Sequence, residues 1–127
     1  MKLNIFFENG WAELGILAKN DFMNILAPNQ PYADTTQMCT EKLIEDLKEM
    51  PTFISGFTEE LKKTFLSLFE KNVNKKFIII DDWIVNQRIR EKYMEIVGYI
   101  NEGKTYAEAR EIITNKYKPV TENVQNV

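Results

Sequence analysis

The sequence predicts an α+β fold rich in helix, and three observations carry that prediction. Asn9-Gly10 is a turn signal flanked by apolar residues. Apolar residues recur at helical spacing from about residue 40 onward, each run bounded by a cap or a breaker. The short run Phe77-Ile78-Ile79-Ile80 is β-branched and apolar. Together they give an N-terminal β-hairpin packed on about four helices, with residues 77–81 open either as a third strand or as the buried start of a helix. A nearly all-α domain is the alternative.

The hairpin rests on Asn9 and Gly10, which both tolerate positive φ. Folded there, Phe7 opposes Ala12, Ile5 opposes Leu14 and Leu3 opposes Ile16, so one face is apolar in register. Phe6 and Trp11 fall on the other face. Both faces then carry large apolar groups, and either helices cover both sides or one side is a partner surface. A helical reading competes over residues 10–26, because Trp11, Leu14, Ala18, Phe22 and Ile25 also recur at helical spacing. Gly15 weakens that helix and favours the hairpin.

Pro28 to Asp34 reads as a loop. Asp34 and Gln37 offer one capping box for the next helix and Thr40 a second start. That helix carries Cys39, Leu43, Leu47 and Met50 on one side and stops at Pro51. After Ser55-Gly56, Thr58 is an N-cap, and Glu59 and Glu60 complement the helix dipole rather than form a catalytic pair. Phe57, Leu61, Phe65, Leu68 and Phe69 form the stripe of this helix, and residues 72–76 end it. Another helix is expected from Trp83, with Ile89, Tyr93, Ile96 or Val97, and Ile100 as its apolar side. A last one runs from Tyr106 to Lys116 and is ended by Pro119; Val120, Val124 and Val127 have the spacing of a short terminal turn of helix.

Composition bounds the chemistry. The 127 residues fit one domain spanning 1–127, with no internal repeat and no linker. The apolar runs are too short to span a bilayer, and no secretory signal precedes the hairpin. With a single cysteine, Cys39, this predicts a soluble cytoplasmic protein and no membrane partner. The absence of histidine removes the usual general base near neutral pH, Ser-His and Cys-His nucleophiles, and the usual zinc donors. Residues 1–70 hold 6 basic and 11 acidic groups, a net of −5, and residues 71–127 hold 10 and 8, a net of +2. Nucleic-acid binding is thus disfavoured in the first half and only permitted in the second.

Residues 98–105 match the phosphate-loop pattern G-x-x-x-x-G-K-S/T. A working loop follows a buried strand and needs small residues, whereas Gly98 here sits within an apolar stripe and Glu102 would face the phosphates. Gly103 as a helix stop and Thr105 to Glu108 as a capping box account for the same residues. Asp81 and Asp82, with Glu102 and Lys104 downstream, echo a metal-nuclease pattern, but adjacent carboxylates on a strand point to opposite faces. Pro28-x-x-Pro31 has the minimal spacing of an SH3 ligand without the flanking Arg.

The expected function is therefore binding without catalysis or cofactor. A small inhibitor, adaptor or accessory factor would engage a protein partner, with Phe6, Trp11 and Tyr32 as contact residues. Its Lys-, Asn- and Ile-rich composition suits an AT-rich phage or mobile element. The alternative is a DNA-binding regulator, because helix, Gly-containing turn and capped helix over residues 83–127 resemble a helix-turn-helix. Arg88, Arg90, Lys104, Arg110, Lys116 and Lys118 would then supply phosphate contacts. A nucleotide- or metal-dependent enzyme is the third reading.

Overall fold

The computed structural model describes residues 2–26, 36–52 and 56–118. A four-stranded antiparallel sheet in the order β2-β1-β4-β3 forms its centre, built from β1 (Leu3–Phe7), β2 (Gly10–Leu14), β3 (Thr36–Met38) and β4 (Lys76–Asp81). Helices α1 (Ile16–Leu26), α2 (Glu41–Glu49) and α3 (Glu59–Lys71) cover one face, and α4 (Gln87–Asn101) and α5 (Tyr106–Lys116) cover the other.

Strand alternation explains the two cores. Leu3, Ile5 and Phe7 of β1, with Ala12, Leu14 and Phe77, face α1–α3. Phe6 and Ile78 face α4 and α5, where they join Ile84, Ile96, Val97, Ile100, Ala109 and Ile113. Each residue of β1 is buried because both faces of this central strand are covered. Phe69 anchors the larger core, meeting Phe7 and Phe77 edge-on at 5.0 and 5.4 Å between ring centroids.

The hairpin and the strand at 77–81 both form. The register differs from the expected one by two residues: Phe7 pairs with Gly10, Ile5 with Ala12 and Leu3 with Leu14. Glu8 and Asn9 make the turn, and neither they nor Gly10 has a positive φ. A shift of two keeps each side chain on its face, so the apolar pattern alone does not separate the two registers. A Cβ on Gly10 would lie 2.7 Å from Leu68 Cδ1, so glycine lets α3 close onto β2. Ile16, expected opposite Leu3, instead begins α1. The two readings of residues 10–26 hold in succession, strand to Leu14 and helix from Ile16, with the break at Gly15.

Further differences follow from local hydrogen bonding. Gln37 belongs to β3 rather than to a capping box, and Thr40 starts α2 by accepting the Leu43 amide at 3.1 Å. Cys39 lies between β3 and α2, buried, with its N–H on Lys75 O and its carbonyl accepting from Asn74. Asn86, not Trp83, precedes the next helix: its Oδ1 accepts the Arg88 amide at 2.8 Å, so α4 begins at Gln87. At the far end of α4 the helix stop is as expected. Gly103 has φ 108, its N–H bonds Ile100 O, and the Lys104 N–H bonds Tyr99 O, a Schellman closure. Thr105 and Glu108 form the reciprocal capping box of α5. Residues 98–101 are helical, and the phosphate-loop string is a helix end followed by a helix start. The loop at 28–34 and the valines at 120–127 lie outside the described residues. No helix among the described residues is long and apolar enough to cross a membrane.

Candidate functional site

The sheet register gathers several chain segments at one end. Leu3 pairs with both Leu14 and Asp81, so Lys2, Gly15 and Asp82 emerge side by side where β1 begins and β2 and β4 finish. Asn4 fastens this end. Fully buried, its Nδ2 donates to Lys2 O, Ile80 O and Asp82 O at 3.3, 3.2 and 2.7 Å, and the Asp82 N–H adds a bond to Lys2 O at 3.1 Å.

From this anchor residues 82–86 run without helix to the start of α4, and their side chains alternate. Ile84 turns inward and is buried in the second core. Trp83 and Val85 turn outward, 59% and 81% exposed. The backbone beneath them is held: Trp83 N–H donates to Asp82 Oδ1 at 2.7 Å, and Arg90 Nη2 donates to Ile84 O at 2.9 Å. Ile89, in the first turn of α4, is 43% exposed, and Ile16 and Leu17, leaving β2 at the same end, are 59% and 63% exposed. Of the large hydrophobic side chains exposed among the described residues, only Met38 lies elsewhere, on β3. Scattered apolar side chains need no explanation, but their concentration at one end makes it the candidate site.

Charged groups frame that end. Lys2 pairs with Glu13 at 2.9 Å and holds its ammonium 5.3 Å from the Trp83 ring centroid. Lys19 of α1 pairs with Asp81. Trp83, on an anchored backbone, thus stands in an apolar patch with a charged rim.

The residues expected to make contacts are placed differently. Phe6 is fully buried, with Trp11 and Tyr93 at 6.0 and 5.0 Å between ring centroids, and it presents no surface to a partner. Trp11 is half-buried between Phe6 and the Arg90 guanidinium, which sits 4.0 Å from its ring centroid. Of the two arrangements open for the face carrying Phe6 and Trp11, helix cover is the one that forms. Tyr32 lies outside the described residues. Trp83, expected within a helix, precedes α4; the signal that places it outward is the Trp-Ile-Val alternation between Asp82 and the capping Asn86.

The six cations of the DNA-binding alternative do not share one face. Arg88 and Lys116 gather on the Tyr117 ring at 6.0 and 5.4 Å, together with Lys92 at 4.8 Å. Tyr117 and Lys116 both bond Glu95, which raises the pKa of each. Arg90 is turned to Trp11, and Arg110 and Lys118 stand exposed. Lys104 follows the far end of α4, roughly 22 Å along the axis from its start. The same separation keeps Asp82 from converging with Glu102, so the nuclease-like string forms no common site. Among the described residues no three acidic or thiol groups are arranged to hold a metal ion. Cys39 is sequestered: burial raises its pKa to about 11, and its Sγ donates to Phe69 O at 3.3 Å. No family model, curated protein or solved structure matches the chain.

Proposed function

We propose that this is a non-enzymatic binding protein that engages a protein partner through the apolar end carrying Trp83, Val85 and Ile89, with Ile16 and Leu17 at the same end of the sheet. An inhibitor, adaptor or accessory factor of this kind needs no cofactor. A cytoplasmic setting suits its single, buried thiol. The observation supporting the reading is the concentration of exposed large apolar side chains at the end of the sheet anchored by Asn4. A held backbone lowers the ordering cost of association, so an exposed tryptophan there contributes more to affinity than one on a free loop.

The test is affinity capture from source cells with the purified protein as bait. Trp83→Ala combined with Val85→Asp removes a specific captured protein while the melting temperature stays within a few degrees of wild type. Met38→Asp, on the opposite edge of the sheet, leaves capture intact. Equal capture by the wild type and the Trp83/Val85 variant would refute the proposal.

A further inference from the structure

A second surface lies along the open edge of β2. Asp82 N–H bonds Lys2 O, so the even-numbered residues of β1 direct their backbone groups to β4. The odd-numbered ones therefore bond Gly10, Ala12 and Leu14, and Trp11 and Glu13 direct their N–H and C=O groups away from the sheet. Among the described residues no backbone group takes up these donors and acceptors. An unpaired edge is a template for another strand.

The surroundings select the occupant. An open groove of about 430 Å³ lies at the hairpin end of this edge, lined by Gly10 and Trp11 of β2 and by Lys63, Thr64, Ser67, Leu68 and Lys71 of α3. Lys63 and Lys71 are two helical turns apart, and among the described residues neither joins an ion pair. The nearby Glu13 is already paired with Lys2 and Glu8 with Lys75. The groove wall thus presents uncompensated positive charge. A second copy fits poorly, because joining β2 to β2 places Lys63 and Lys71 of both α3 helices on one face, where like charges repel.

We infer that the β2 edge accepts an extended, acidic segment of a partner protein as a fifth strand. Its backbone pairs with Trp11 and Glu13, alternate carboxylates face Lys63 and Lys71, and the intervening apolar side chains lie toward Trp11. This surface meets the Trp83 end only at the Lys2–Glu13 pair, and the Lys63 and Lys71 variants leave that pair untouched, so their failure leaves the reading of that end standing.

The experiment titrates the protein with a short capped peptide alternating Glu and Val, read by amide hydrogen exchange, with a Lys-Val peptide as the counterpart. The Glu-Val peptide slows exchange at the Trp11 and Glu13 amides about tenfold or more, and the Lys-Val peptide does not. Lys63→Glu with Lys71→Glu weakens binding about tenfold. Glu13→Pro removes one outward donor without touching the β1 ladder, and it abolishes the protection; if that variant fails to fold, the lysine reversal decides. Equal binding of both peptides, protection confined to other amides, or sedimentation as a dimer with the edge amides protected would each overturn the inference.

Discussion

Asn4 shows how one side chain sets up the candidate site. Its amide donates to three carbonyls that close the strand ends, and no carboxylate can do so. Asn4→Asp is therefore expected to destabilise the fold at neutral pH by about 1–3 kcal/mol, and more if the charge stays unpaired. Protonating the carboxyl recovers part of this, so urea titrations of Asn4→Asp should show stability rising as the pH falls through the carboxylate range. Glu108 behaves in the opposite sense. The Thr105 N–H bond holds its pKa below the ordinary value, so the stabilisation is present above that ordinary value and is lost as pH falls through the lowered one. Thr105→Ala removes the hydroxyl half of the capping box and keeps the backbone N–H half; it should cost about 1 kcal/mol and leave most of this pH dependence, which Glu108→Gln abolishes, as denaturant melts would show. Cys39 supplies a probe of opening. With a pKa raised to about 11 by burial, it should resist alkylation in the native state and react at the rate of global unfolding. Rapid labelling without denaturant would contradict its burial.

At the scale of elements, the α4–α5 hairpin is fixed by Gly103, whose φ of 108 favours glycine. Gly103→Ala should cost about 1–2 kcal/mol, measurable by urea unfolding, and act on the second core, which these helices close. This turn was legible because its signals are local: a glycine, a threonine and a glutamate at fixed spacing. The helices at 41–49 and 59–71 were legible for the same reason, their N-caps being Thr40 and Thr58. Two kinds of element were not. The strand β3 at 36–38 carries no periodicity of its own and exists through pairing with β4, a contact distant in sequence. The start of α1 was hidden because strand and helix abut at Gly15, so a single apolar pattern seemed to demand a single answer. The hairpin register was undetermined for a related reason, since its two candidates differ by a full strand period and keep the same side chains on the same faces.

At the scale of the molecule, the sheet buries apolar side chains on both faces, and what remains exposed is sorted toward its ends and edges. The sequence placed Phe6 and Trp11 on a common face, but whether that face meets solvent depends on α4 and α5 packing against it, which alternation within a hairpin does not reveal. The outward Trp83 and Val85 depend on the same packing: Ile84 enters the second core, and its neighbours are turned out. The proposed binding role thus falls to a connecting segment on a rigid support, where functional residues are common. The most direct measurement is site-specific photo-crosslinking in source cells, with benzoylphenylalanine replacing Val85 in one variant and Met38 in another. A discrete protein adduct is expected from position 85 and none from position 38. Adducts from position 38 alone, or none from position 85 in a folded protein, would contradict the proposed binding role.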